Sequence, residues 1–221
     1  MWQQLHEDLK DRNFTVIAIA MDSRGAEIAR PWIEAAKATY VAVIDRDHVI
    51  ADLYNMVNVP QAVWIDEDGR IVRPTEVAGS CDYFRGMDRA TRTLPKEAQD
   101  LRQQVRARYL DAVRDWVANG RASRYVFDAR AARAHVSPPS ADIQRAHVHF
   151  RLGEHLRRLG RDAEGDEHLA EASRLHPESW NIWRQAGDLK FKGQPNPDFW
   201  SRVDALGPRR YYDKIDMEGM P

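Results

Sequence analysis

Apolar and polar positions alternate in two different rhythms along this chain. From Phe14 to Met21 the residues are apolar apart from Thr15, bounded by Arg12-Asn13 before and Asp22-Ser23 after. Such a β-rich run predicts a strand buried on both faces. Ahead of it, Trp2, Leu5 and Leu9 recur at helical spacing within Met1–Asp11. Behind it, Gly25–Thr39 carries Ile28, Trp32, Ile33 and Ala36 on one stripe and predicts an amphipathic helix. Tyr40–Ile44 is a short strand closed by Asp45-Arg-Asp47, and His48–Met56 is one short helix. After Val57-Asn-Val-Pro60, the runs Ala62–Ile65 and Arg70–Val72 flank Asp66-Glu-Asp-Gly69. Two apolar runs around that turn make a β-hairpin, with Gly69 supplying the positive φ. Strand, helix, strand, helix and hairpin together predict an α/β domain with a mixed sheet over residues 1–94.

From Leu94-Pro95 onward the rhythm is helical. Glu97–Val117 is a long charged amphipathic helix stopped by Asn119-Gly120. Residues 95–136 form this linking helix and a connector. Ser137-Pro-Pro-Ser140 is the clearest linker, and Ser140 is placed to cap the next helix. Ala141–Leu159, Asp162–Leu175 and Ser179–Lys192 follow, broken by Gly160, His176-Pro177 and Gly193. Residues 137–208 are thus an all-α region, and 209–221 form a tail that fits no periodicity.

Composition narrows the functional classes. The 221 residues are 43% hydrophobic and 30% charged, which suits a folded soluble chain. Net charge is −1, with 11 basic and 15 acidic residues in 1–94 and 22 and 19 in the rest. No basic stripe recruits nucleic acid, although arginines outnumber lysines 27 to 6. The longest apolar run, Val16–Met21, is far too short for a membrane span. No signal-peptide pattern is visible, which favours the cytoplasm. A single cysteine, Cys81, excludes an internal disulfide, a Cys-rich zinc site and an intramolecular dithiol couple.

Two resemblances give these patterns names. Val16-Ile-Ala-Ile-Ala-Met-Asp22, Asp45-Arg-Asp-His-Val-Ile-Ala51, Val57-Asn-Val-Pro-Gln-Ala-Val-Trp-Ile-Asp-Glu-Asp-Gly-Arg-Ile71 and Ala78-Gly79 resemble the thioredoxin-like redoxins, in the thiol-disulfide reductase and peroxide-reductase-like branch. The resemblance implies a cis Val59–Pro60 bond, although most such bonds are trans. It also implies substrate contact at Val59, Pro60 and Gln61. In residues 141–190, Leu152, Gly153, Leu156, Leu169, Ala172 and Pro177, with Trp183 and Gly187 beginning a second copy, resemble a tetratricopeptide repeat. Gly153 and Gly187 are 34 residues apart, the period of that repeat. Gly165 departs from the repeat's small alanine. A helical cap and a groove for a protein partner are both compatible with one and a half copies.

The redoxin resemblance lacks its chemistry. That family places Cys-x-x-Cys at the N-terminus of its first helix, where the helix end lowers the thiolate pKa. Here Met1-Trp-Gln-Gln-Leu already lies inside that helix, and the redox motif and the strand before it are absent. An upstream redox segment is therefore expected, and a selenocysteine codon read as a stop would give such a start. Phe14–Met21 and Ala62–Ile65 are then expected to remain unpaired with each other. Cys81 matches neither redox position and stands either as a small packed residue or as an accessory thiol.

Other constellations carry less. Asp66-x-Asp68-Gly69 begins like a calcium loop, but Val77 stands at the twelfth position where the bidentate Glu is needed, so it reads as a turn. His147 and His149 are two apart on a helix and face different directions, so no metal site and no cofactor is expected. Asp22-Ser-Arg-Gly25 reads as a helix cap through Ser23 or Asp22, or as an anion cradle. The functions left open are three. The chain belongs to a redoxin acting on protein thiols, disulfides or a peroxide, an oxidoreductase only with an upstream redox segment. Alternatively it is a redox-inactive scaffold whose helical tail binds a protein. An enzyme using carboxylates in a cleft is the third, with no motif behind it.

Overall fold

A computed structural model describes residues 1–191 and 196–221. In chain order the elements are α1 (Trp2–Leu9), β1 (Ile17–Ala20), α2 (Ala26–Ala35), β2 (Val41–Ile44), α3 (Val49–Leu53), β3 (Gln61–Ile65), β4 (Ile71–Val77), α4 (Lys96–Asn119), α5 (Ala129–Ala134), α6 (Ala141–Arg158), α7 (Asp162–Leu175), α8 (Trp180–Lys190) and α9 (Phe199–Asp204). The α/β character ends with β4 and helices dominate thereafter. Lys192 and the Gly193 helix stop lie outside the described residues. No helix among the described residues is long and apolar enough to cross a membrane.

Two compact units cut across this order. One contains Met1–Asn58 with Ser137–Asn196, the other Val59–Val136 with Pro197–Pro221. The change of secondary-structure type near Leu94-Pro95 is therefore not an edge between compact bodies.

In the first unit β1 and β2 run parallel, with Ile17 opposite Val41 and Ala20 opposite Ile44. The strand expected to be buried on both faces is shorter and half covered: Ile17 is 59% and Val41 52% exposed. The reason is the width of the sheet, which holds two strands among the described residues. A parallel sheet needs a layer on each face to bury such side chains. Helix α2 has Gly25 as its N-cap, at φ +100, with no side-chain cap. The expected Ser23 or Asp22 cap is thus corrected: Asp22 accepts the Arg24 amide at 2.9 Å, and Ser23 turns inward. Helices α6, α7 and α8 build a core from Ala146, Phe150, Leu169, Ala172 and Ile182. Ser140 and Ser179 cap α6 and α8 by accepting the amides of Ile143 and Ile182. Helices α6 and α7 cross closely, because a Cβ on Gly153 would lie 2.9 Å from the Gly165 carbonyl oxygen, and one on Gly165 2.9 Å from that of Gly153. Gly165 is therefore where the backbone needs a residue smaller even than alanine.

In the second unit β3 and β4 form the expected antiparallel hairpin, with no ladder to β1 or β2 among the described residues. Asp66 and Gly69 make its turn. The Asp66 carboxylate accepts the amides of Asp68 and Arg70 at 3.1 and 2.8 Å, and Gly69 sits at φ +75. No cation is needed to fold that loop. Strand β4 continues past Val72 because Pro74, which lacks an N–H, falls in the irregularity between the Trp64–Arg73 and Ala62–Glu76 pairs. Trp64 anchors the hairpin to α4, stacking on Trp116 at 5.0 Å and donating its indole N–H to the Tyr109 hydroxyl at 2.9 Å. The aperiodic tail is packed: Tyr211, Ile215, Met217 and Met220 are buried, and the Asp82 carboxylate accepts the amides of Tyr211 and Tyr212.

Candidate functional site

Three of the residues singled out in the sequence lie together at the start of β3. The Val59–Pro60 peptide bond is cis. The Pro60 carbonyl accepts the Ala78 amide at 3.0 Å. The Val59 carbonyl accepts the Tyr212 hydroxyl at 2.9 Å, so an acceptor expected to meet substrate is engaged by the tail. Gln61 borders a small cleft of about 270 Å³ with Glu76, Phe127, His135 and Asp216. Cys81 is 7% exposed, and burial pushes its thiol pKa up, with the Asp82 charge adding to the shift. A reactive thiol needs the opposite environment, one that stabilises thiolate.

A buried cation organises the same unit. Arg73 is 1% exposed, yet every edge of its guanidinium has a partner: the Glu76 carboxylate and the carbonyls of Tyr125 and Asp216. Its plane lies over Phe127 at 4.6 Å. Beside it, His135 stacks on Phe127 at 4.2 Å and meets the Ala131 carbonyl and the Asp216 carboxylate through its two ring nitrogens. Both contacts are acceptors, so they hold the imidazole pKa above its ordinary value.

The first unit holds a second concentration of polar groups, and the sequence did not announce it. Asp22 and Ser23 follow β1, while Asp45 and His48 follow β2, so all four collect at the carboxyl ends of parallel strands. That end is where open α/β sheets bind ligands. Asp45 accepts the Val49 and Ala51 amides at 2.8 and 3.0 Å and so caps α3, whose first turn starts from His48 at φ +53. The His48 Nε2 lies 3.2 Å from the Ser23 hydroxyl, and the ring packs edge-on against Phe150 of α6. Burial drives the His48 pKa down to about 4, against the pull of Asp45 and Asp22. From α8, the Gln185 side-chain oxygen accepts the Ser23 amide at 2.9 Å.

Glu154 of α6 completes this cluster. It is 1% exposed, and neither carboxylate oxygen has a hydrogen-bond partner. The Arg158 guanidinium is 3.6 Å away and is itself drawn to Asp47 at 2.8 Å. Desolvation raises the Glu154 pKa to about 7; Ser23 and Arg158 oppose the shift, while Asp47 and Asp45 reinforce it. Sequence reasoning missed Glu154, although a signal exists: Ala146, Phe150 and Glu154 follow at intervals of four, which sets a carboxylate on the apolar stripe. Ser23 and His48 form a hydroxyl–imidazole pair, but each is 3% exposed, and Asp45 is committed to capping instead of orienting the ring. The pair lacks the access and the third member that nucleophilic catalysis requires. Elsewhere His149 and His168 meet through their Nδ1 atoms at 2.8 Å, but among the described residues no group of three or more His, Cys, Asp or Glu is placed to hold a metal.

Residues 1–73 match the model of the AhpC/TSA family. The match supports a redoxin, of thioredoxin-like kind, in the N-terminal third of the chain. It runs from α1 into β4 and so includes the Ser23–His48 loops and Val59–Pro60–Gln61; Cys81 and the helices from α4 onward lie beyond it. No curated protein and no solved structure matches the chain.

Proposed function

We propose that the chain is a thioredoxin-like redoxin module serving thiol–disulfide or peroxide chemistry, and that it does not turn over such substrates with its own residues. The redoxin match over residues 1–73 carries this reading. The chemistry begins with attack by a thiolate, or a selenolate, on a sulfur or a peroxide oxygen. Cys81 is the one sulfur nucleophile in the sequence, and its burial disfavours the thiolate. The attacking atom therefore belongs to another polypeptide segment, with Val59, Pro60 and Gln61 as the substrate contact that this chain contributes. The helices α6–α8, with glycines in tetratricopeptide-like phase, are the proposed place for a protein partner. The test is an insulin-reduction assay and a peroxide-consumption assay on residues 1–221 with a thiol reductant present. Background rates are expected in both, and a Cys81-dependent turnover would overturn the reading.

A second reading, a redox-inactive scaffold of the same fold, is favoured by one contact. The Tyr212 hydroxyl occupies the Val59 carbonyl. The two readings part on a disulfide-bridged model peptide. A redoxin module is expected to bind it more tightly once Tyr212→Phe frees that carbonyl, whereas a scaffold is indifferent.

A further inference from the structure

The loops after β1 and β2 and the helices α6 and α8 of the same unit meet across a polar seam, and the carboxylate at its centre has the Arg158 guanidinium at 3.6 Å but no hydrogen bond. Glu154 is buried without a hydrogen bond to either oxygen. Acting on it are Ser23 from the first loop, Asp45 and Asp47 from the second, and Arg158 from its own helix; His48 and Gln185 contact the same Ser23, and Asp22, Arg24 and Asp188 pair with one another along the seam. The cations there are already committed. Arg24 is held by Asp22 at 2.8 Å with Asp188 at 3.8 Å, and Arg158 is divided between Asp47 at 2.8 Å and Glu154 at 3.6 Å. His48 is neutral in this setting, so it brings no charge toward the carboxylate. A buried carboxylate with no hydrogen bond and only a shared cation is costly to hold ionised, whereas the neutral acid is tolerated.

We propose that Glu154 is a proton-operated latch: its protonated carboxyl keeps α6 seated on the loops following β1 and β2, and its ionisation loosens that seat and uncovers Ser23 and His48 at the strand ends. The proposal is independent of the redoxin reading, because it concerns access to the crevice and not the chemistry performed there. Ionised Glu154 has two ways to find water or a cation. Either α6 lifts by its last turns, or the 45–48 loop moves and releases Arg158 from Asp47. Both expose the same loops. The raised Glu154 pKa, near 7, places the transition in the neutral range. The opposing group is His48, whose protonation would also disturb the seam, but only near pH 4.

Amide hydrogen exchange of the full chain, followed by mass spectrometry from pH 5.5 to 8.5 and corrected for intrinsic rates, tests this. The loops 21–25 and 45–50 are expected to open up to about tenfold more per pH unit as pH rises toward the Glu154 midpoint near 7 and to level off above it, since one proton is linked to opening only between the ordinary carboxyl pKa and the raised one. Glu154→Gln, an isosteric neutral side chain, is expected to hold the same loops closed across the whole range. A pH-independent ratio between the wild-type protein and Glu154→Gln would overturn the latch. Should the Gln variant fail to fold, the wild-type carboxyl infrared band decides alone: titration near 7 upholds the proposal, and titration between 4 and 5 refutes it.

Discussion

Replacing Gly153 by alanine sets two effects of known size against each other. An alanine in a helix interior is favoured over glycine by about 1 kcal/mol, because glycine has more backbone freedom to lose. Against this, the new methyl would stand 2.8 Å from the Leu169 Cγ and 2.9 Å from the Gly165 carbonyl oxygen. Leu169 can adjust its rotamer, but the carbonyl is backbone, so relief requires α6 and α7 to separate by several tenths of an ångström. Overpacking of that kind costs about 1–3 kcal/mol. The separation also loosens the α6–α7 part of the core that holds Phe150 and Leu169. Packing therefore wins, and Gly153→Ala is expected to destabilise by about 1 kcal/mol net, read by urea unfolding with far-UV circular dichroism, or as about 2–4 °C in Tm. Gly165→Ala meets the reciprocal contact at 2.9 Å and should behave alike. Because one separation relieves both, the double variant should cost less than the two singles added. A Gly153→Ala protein more stable than wild type by the propensity difference would show that the helices do not approach this closely. Strict additivity of the two changes would refute the shared contact.

Further outcomes follow from the buried charges. Removing the Arg73 guanidinium with Arg73→Met leaves Glu76 buried beside unmatched carbonyls and should cost about 3–5 kcal/mol in thermal or chemical unfolding, the range for breaking a buried pair; a change below 1 kcal/mol would contradict the full set of partners. His48 is neutral when folded and titrates near 4, so the unfolded chain takes up its proton first as pH falls from 6.5. Folding loses about 3 kcal/mol across that window through His48. Glu154, with its pKa near 7 against 4.5, loses stability in the other direction, as pH rises from 4.5 to 7. The two slopes offset each other in the wild-type protein, and His48→Asn should unmask the Glu154 slope as a stability that rises steadily from pH 6.5 to 4.5. Asp82→Ala removes the acceptor of the Tyr211 and Tyr212 amides and should free the tail, seen as faster amide exchange confined to residues 209–221. Cys81 should react with a water-soluble thiol reagent at pH 8 at least tenfold more slowly than a free cysteine, because both its burial and its raised pKa oppose reaction.

Local chemistry was legible in the sequence wherever one residue decides one turn. Asp66 and Gly69 define the hairpin loop, Gly120 at φ +54 ends α4, and Ser140 caps α6, each by a contact within four residues. The Asp22-Ser-Arg-Gly25 turn defeated the same logic. Three of its residues are good caps, but Ser23 gains more from His48 and Gln185, which are distant in sequence. The polar seam was hidden for the same reason. Its members come from two loops and two helices separated by about a hundred residues, and only Glu154 betrays itself by interrupting an apolar stripe. The tail escaped notice because Tyr211, Ile215, Met217 and Met220 bury themselves from irregular backbone, where no period exists to detect.

The interleaving of the two compact units has a consequence for the order of events during synthesis. The chain passes from one unit to the other after Asn58, returns after Val136 and passes over again after Asn196. When a ribosome has made residues 1–58, α1, β1, α2, β2 and α3 exist, but Phe150, Glu154 and Gln185, which cover Ser23 and His48, do not. Those segments must wait for about a hundred further residues. Closing such long loops is slow, and strands left uncovered meanwhile are exposed to association. Neither unit can be excised with a single cut, and termination anywhere before Asn196 leaves both unfinished. The nascent chain is thus committed to a late, nearly simultaneous completion, and holdase chaperones should bind it most avidly between the emergence of β2 and that of α8.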